Sequence, residues 1–161
     1  MQPAPADADL ILDDERATAQ LAGWLAPRLV PGTRIHLSGD LGTGKTTLVR
    51  ALLQTLGHTG RVRSPTFTLM EPYNLSSYDL YHFDFYRFSS EDDWRHAGFD
   101  EPLGSPDVVS LVEWPEMAGA TLPPPDLQLS LRFADDEASG TVRRLRVHAG
   151  TARGASWLND L

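Results

Sequence analysis

A chain of 161 residues with 41% hydrophobic and 22% charged residues has the length and balance of one globular domain, expected here to span residues 1–161 with a flexible start over 1–8. No apolar run approaches the length of a membrane span, and the lack of cysteine excludes disulfides, cysteine zinc sites and a thiol nucleophile. A formal net charge of −8 repels a nucleic-acid backbone, so any contact with RNA is expected to run through or alongside a partner, and neither DNA nor a membrane is an expected partner.

Residues Met1 to Asp9 carry no basic patch and no apolar h-region, so a cytoplasmic location is expected. Asp9 to Asp13 reads as a short strand, and Asp13 or Asp14 is a good N-cap for a helix in which Ala17, Leu21, Trp24, Leu25 and Arg28 recur at three- and four-residue steps. Pro27 and Pro31-Gly32 end that helix and turn the chain into the alternating stretch Arg34 to Ser38, a second strand.

There follows Gly39-Asp40-Leu41-Gly42-Thr43-Gly44-Lys45-Thr46-Thr47, with the G-x-x-x-x-G-K-[ST] spacing of a phosphate-binding loop. Each part has a task. The glycines let backbone N–H groups approach a triphosphate, Lys45 reaches its β and γ phosphates, and the Thr46 hydroxyl is placed to ligate Mg²⁺. Leu48, Val49, Leu52, Leu53 and Leu56 then recur at helical spacing up to Gly57, so the loop opens a helix whose N-terminal dipole faces the phosphates. In such a layout Glu15 and Thr18, at the start of the first helix, either approach the nucleotide or serve only as cap and surface.

Gly57 to Pro65 is a basic loop, and Thr66 to Met70 reads as a strand ending at Glu71-Pro72-Tyr73-Asn74. Ser64 and Thr66 fit two roles: hydroxyls of a switch-like segment that senses the γ-phosphate, or members of an ST-type turn. The aromatic strand Tyr78 to Arg87 is close enough to form a hairpin with its predecessor. Its alternation puts His82, Asp84 and Tyr86 on one face and Tyr81, Phe83 and Phe85 on the other. Burying Asp84 is costly without a partner, which makes it a candidate base or metal ligand.

Ser89 to Trp94 is a helix start, and Gly98 to Gly104 is a break. The apolar run Val108 to Val112 suits a strand buried on both faces. Glu113 at its end stands where strands beside a phosphate-binding loop deliver a carboxylate to the metal. After Leu122-Pro123-Pro124-Pro125, Leu127 to Phe133 and Thr141 to His148 form a C-terminal hairpin around a turn over 135–140; Arg144, Arg146 and His148 on its polar face could meet RNA, an acidic partner or the nucleotide, with solvated edge-strand charge the commoner explanation. Ala155 to Leu161 is a short helix or frayed tail. The fold class is α/β: a P-loop NTPase-like sheet, mixed parallel and antiparallel, flanked by helices and closed by the hairpin.

Taken together, the loop Gly39 to Thr47, then Ser64-Pro65-Thr66-Phe67-Thr68, then His82-Phe83-Asp84-Phe85-Tyr86-Arg87, then Val112-Glu113-Trp114-Pro115 closely resemble TsaE, a family of small bacterial ATPases of tRNA threonylcarbamoyladenosine biosynthesis. The resemblance covers roughly residues 10 to 133. It departs from the family at Phe67, where Tyr is common, and is least in the last strand pair and tail. It implies binding of ATP and Mg²⁺, slow hydrolysis alone, and work with the TsaB–TsaD pair that modifies adenosine 37 of tRNA. Carried over by position, Lys45 and Thr46 bind phosphate and metal, Glu113 helps hold the metal, and Asp84 lies in the catalytic neighbourhood. Trp114 neighbours the site, Ser64 and Thr66 form the mobile loop, and Glu15 and Thr18 approach the nucleotide. No convincing arginine finger is present in cis, with Arg87 the only nearby candidate, so a low basal rate raised by the partner is expected. Three rivals remain: a small-molecule kinase, a non-catalytic nucleotide switch, and a metallohydrolase built on His82 and Asp84.

Overall fold

The computed structural model describes residues 7–134, 140 and 142–161. The expected flexible residues 1–6, Thr141, and the turn over 135–140 apart from Gly140 lie outside that set. Seven strands form one sheet: β1 (Asp7–Leu12), β2 (Arg34–Ser38), β3 (Met70–Asn74), β4 (Asp79–Asp84), β5 (Val108–Glu113), β6 (Leu127–Phe133) and β7 (Arg143–Ala149). Their order is β1-β7-β6-β2-β5-β4-β3. The central strands β6, β2, β5 and β4 run parallel, while β3, β7 and β1 are antiparallel to their neighbours, so the mixed sheet and the β6–β7 hairpin are as expected from sequence.

One face carries helices α1 (Glu15–Leu25) and α2 (Lys45–Thr55), which pack on each other and on the sheet. Leu21, Leu25, Leu48, Leu52 and Leu53 bury against Ile35, Leu37, Leu80, Val109, Leu111, Leu129 and Val147. Each such leucine contributes about 1.5–3 kcal/mol by leaving water. The other face, behind β4 and β5, holds a second cluster of Phe83, Phe85, Phe88, Trp94, Leu103 and Val112, closed by the short helices α3 (Asp93–His96) and α4 (Asp100–Gly104). Alternation therefore divides β4 and β5 cleanly. Phe83 and Val112 face the aromatic cluster, while His82, Asp84, Leu111 and Glu113 face α2.

Several boundaries differ from the sequence reading. Strand β1 starts at Asp7, so Asp7 and Ala8 are paired with β7 rather than part of a flexible start. Residues 65–69 are a turn, not a strand: the Leu69 amide donates to the Pro65 carbonyl at 2.7 Å, Leu69 has φ +69°, and β3 begins at Met70. β-Branched Thr66 and Thr68 gave the stretch its strand pattern, but their hydroxyls bond side chains of Asp84 and Glu71 instead. Strand β4 stops at Asp84, because the Asp84 carboxylate accepts the Tyr86 amide at 2.9 Å and turns the chain.

Strand β7 is not an edge. Strand β1 pairs outside it, with Asp9 bonded to Arg146 at 3.0 Å and Asp7 to His148 at 2.5 Å, so two of the three supposed edge charges are paired. The tail is ordered as α5 (Ala152–Trp157) and a final 3-10 turn. It is anchored through buried Asp126, which accepts from the Arg34 amide at 3.0 Å, the Thr151 hydroxyl at 2.6 Å and Arg153 at 2.8 Å. Burial alone would raise the Asp126 pKa, but these donors outweigh it and hold the carboxyl below its ordinary value.

Candidate functional site

The site lies at the C-terminal ends of the parallel strands, where an open α/β sheet leaves a crevice. Strand β2 delivers the chain at Ser38 into the loop 39–44, and α2 begins at Lys45. Gly39 has φ +145°, and a Cβ there would stand 2.4 Å from the Leu131 carbonyl oxygen and 2.6 Å from Thr43 Oγ1, so only glycine lets the loop lie this close to β6. Gly44 caps α2 in the left-handed region at φ +103°. The loop is braced internally by the Thr43 hydroxyl, which donates to the Asp40 carbonyl at 2.8 Å.

Lys45 is buried, and its ammonium donates to the Gly39 carbonyl and, at 3.1 Å, to the Asp40 carbonyl. It also sits 4.5 Å from the centre of the Trp114 ring, an arrangement that stabilises a desolvated cation. Burial pulls its pKa below the ordinary lysine value, against the carboxylates of Glu113, Asp84, Glu116 and Asp40, which favour the charged form. Trp114, with φ +56°, turns the chain out of β5 and packs against Tyr86 at 4.9 Å between ring centres.

Two carboxylates face this lysine. Asp84 and Glu113 end the adjacent parallel strands β4 and β5 in register, so both reach the crevice at the same height. Glu113 accepts from the Thr46 hydroxyl at 3.1 Å and from His82 Nε2 at 2.6 Å. Asp84 accepts from the Thr66 hydroxyl at 3.2 Å, and Thr66 in turn meets Ser64 at 2.8 Å. Burial raises the Asp84 pKa and the Glu113 charge adds to the rise, opposed by the Tyr86 amide, Thr66 and His82.

A cavity of about 210 Å³ collects these groups: Leu41, Gly42, Gly44, Lys45, Thr46, Thr47, Ser64, Thr66, Asp84, Glu113 and Trp114 line it. Gly39 and Asp40 lie behind it and hold Lys45 through their carbonyls. A second cavity of about 330 Å³ shares Gly42, Gly44 and Thr47 and continues past Thr43 to Glu15 and Thr18 on α1. All the residues expected at the site are thus gathered around one loop. A larger cavity of about 520 Å³ lies on the face of β1, β7 and β6, away from the loop, lined by Asp9, Ile11, Arg132, Arg144 and Arg146. It lacks the glycine-rich loop 39–44 and the paired carboxylates Asp84 and Glu113 that the smaller pair of cavities gathers.

Sequence reasoning missed two members. His82 stands in the sequence as a ring on the face of Asp84 and as half of a rival metal site, with no link to Glu113, whereas it is fully buried against that glutamate. Arg143 was assigned no role, yet it lines the second cavity and donates to the Gly42 and Thr43 carbonyls at 3.2 and 3.1 Å. No local pattern announces a contact a hundred residues away. Among the described residues no group of three or more His, Asp or Glu side chains is placed to hold a metal ion. The donors that do converge, the Thr46 hydroxyl with Glu113 and Asp84, are hard oxygens few in number. That set fits Mg²⁺, which keeps waters and takes phosphate oxygens for its remaining positions.

The sequence profile of the family described as threonylcarbamoyl adenosine biosynthesis protein TsaE matches residues 12–144. A Haemophilus influenzae protein named tRNA threonylcarbamoyladenosine biosynthesis protein TsaE is 41% identical over 102 residues, 63% of this chain and 64% of that protein. The Bacillus subtilis protein of the same name is 38% identical over 125 residues, 78% of this chain and 75% of its own length. A crystal structure of Bacillus subtilis YdiB superposes with a TM-score of 0.75 at 28% identity, covering 99% of this chain and 96% of the other.

Proposed function

This chain belongs to the TsaE family of tRNA threonylcarbamoyladenosine biosynthesis, and from that premise we propose that it is a Mg²⁺-dependent ATPase that supports or resets a TsaB–TsaD complex in the cytoplasm. Contact with tRNA runs through that complex. The observation that carries the reading is the Thr46 hydroxyl 3.1 Å from Glu113 at the mouth of the phosphate-binding loop, with Asp84 beside it in register.

Phosphoryl transfer to water asks little covalent chemistry of a protein; positioned phosphates, neutralised charge and an oriented water suffice. The amides of Gly42 to Thr46 and the first turn of α2 bind the phosphates. Lys45, whose ammonium donates to the Gly39 and Asp40 carbonyls, would reach the β and γ oxygens of a bound triphosphate. Thr46 and Glu113 would hold Mg²⁺, which when bound would neutralise charge on the transferred group. Asp84 would hold the attacking water or complete the metal shell, and Thr66, tied to Asp84, would carry the state of the phosphate into the 65–69 turn. The second cavity, between Glu15, Thr18 and the hairpin, receives the ribose and base.

The test is phosphate release from labelled ATP by the purified chain, with Mg²⁺ or with chelator, alone and with TsaB and TsaD. Slow Mg²⁺-dependent release, faster with the pair, is the expected result. Label recovered on an added nucleoside rather than in water would make the protein a kinase, and full turnover unaffected by the pair would remove the partner from the reading.

A further inference from the structure

We propose that Arg143, from the C-terminal hairpin, is a positioning residue that presets the phosphate-binding loop for its ligand; the inference rests on the nucleotide reading of that loop. Strand β6 ends at Phe133 and β7 begins at Arg143, in register with each other, and Leu12 at the end of β1 is in register with Arg143 on the other side. The antiparallel strands thus bring the hairpin end and the entry to α1 to the crevice. The loop lies directly on this edge, since Gly39 abuts the Leu131 carbonyl so closely that no Cβ fits.

From there the Arg143 guanidinium reaches across. Nε donates to the Thr43 carbonyl at 3.1 Å and Nη2 to the Gly42 carbonyl at 3.2 Å. Nη1 is held by the carbonyls of Gly140 and, at 3.3 Å, Val142, and the group lies 4.4 Å from the centre of the Phe133 ring. The planar fork is fixed by four carbonyls and an aromatic face, which suits Arg and not Lys.

The consequence follows from the planarity of the peptide. In a trans peptide the C=O and the next N–H point to opposite sides. Pinning the Thr43 carbonyl toward Arg143 therefore turns the Gly44 amide away from Arg143, and Gly44 lines the cavity that also holds Lys45 and Thr46. Gly42 and Gly44 both have positive φ, +81° and +103°, and as glycines they resist peptide rotation least. A loop permissive enough to wrap phosphate needs an outside clamp to keep its amides aimed, and Arg143 is that clamp. A preset loop binds its ligand without first paying to order itself.

The experiment is calorimetric titration of ATP with Mg²⁺ into the full chain and into Arg143→Ala, Arg143→Lys and Phe133→Ala, with the Gly44 amide resonance followed by NMR in each without nucleotide. Loss of two hydrogen bonds from a charged donor predicts a Kd raised roughly tenfold or more in Arg143→Ala, partly restored in Arg143→Lys. The loss should appear in KM with kcat nearly kept, because ground and transition states share the loop, and the Gly44 resonance should shift. A Kd for Arg143→Ala within about twofold of the parent overturns the proposal, as does an unmoved Gly44 resonance. Should Arg143→Ala fail to fold, Arg143→Lys and Phe133→Ala decide by the same readings. If the parent itself binds no ATP, the nucleotide reading fails, and the Gly44 resonance still decides whether Arg143 sets the loop.

Discussion

His82 Nε2 stands 2.6 Å from Glu113 Oε2 with both side chains out of water, so the histidine presents its ring N–H to the carboxylate that also meets Thr46. The other ring nitrogen, Nδ1, has no hydrogen-bond partner among the described residues. Against an ionised carboxylate, which only accepts, the nitrogen that donates is Nε2. His82 therefore aims Glu113, in the way that groups behind metal ligands set ligand orientation. Replacing it by Phe keeps the volume and removes the donor, and should lower Mg²⁺ affinity or turnover by roughly 10–100-fold. A Mg²⁺ titration of the ATPase rate in His82→Phe is the check; an unchanged midpoint and rate would make the pair merely structural.

Asp84 yields a prediction of opposite sign for stability and activity. Its pKa is raised in the fold, by burial first and by the Glu113 charge after it. Between the ordinary aspartate pKa and the raised one the folded state holds more protons than the unfolded, so stability falls as pH rises through that window and stays lower above it. Asp84→Asn removes the buried charge. It should raise Tm at pH 7 by about 2–4 °C, equivalent to ~1 kcal/mol for a chain of this size, while abolishing hydrolysis. Thermal scans of both proteins at pH 4 and pH 7 should show the gap widening with pH, and a variant less stable than the parent at pH 7 would refute the assignment.

His36 gives a pH response away from the site. Burial, aided by the Arg34 guanidinium, pulls its pKa from 6.5 down to about 4. Here the unfolded chain binds the proton first, so stability is full above pH 6.5 and is lost as pH falls toward 4, by at most about 3 kcal/mol. Carboxylates with lowered pKa, such as Asp126, act only below the ordinary aspartate value. Urea unfolding at pH 7, 6, 5 and 4.5 should therefore show a slope that His36→Gln flattens; parallel slopes in the two proteins would exclude His36 as its source.

Gly39 tests how tightly the loop is seated. A Cβ would collide with the Leu131 backbone, which cannot yield as a side chain can, and would force an L-residue to φ +145°. Gly39→Ala should cost about 1–3 kcal/mol in stability or displace the loop from β6. Either way ATP affinity should fall, whereas Gly57→Ala, strained at φ +95° but with open space for a Cβ and remote from the crevice, should leave it intact. Equal loss of affinity in the two variants would show that general destabilisation, not loop seating, is responsible.

Much of this protein is local and therefore readable along the chain. The strand–loop–helix around Gly39 to Thr46, the apolar run into Glu113, and the alternation that separates His82 and Asp84 from Phe83 are set by periodicity and glycine placement over a few residues. Those short-range rules were enough for the fold class and for gathering the phosphate-binding and acidic side chains at one end of a sheet. They misread 65–69, where β-branched threonines suggest a strand but their hydroxyls serve Asp84 and Glu71.

What the tertiary structure alone decided is which distant groups meet. Register between β4 and β5 puts Asp84 level with Glu113, burial forces His82 onto that glutamate, and antiparallel pairing returns Arg143 to the loop 39–44. A hydrogen bond depends on distance in space, and sequence separation says nothing of that until the sheet order is known. The chain by itself determined that a glycine-rich loop with the spacing of a phosphate-binding motif is followed by two acids at strand ends; the fold determined how those acids, and the loop itself, are held in place.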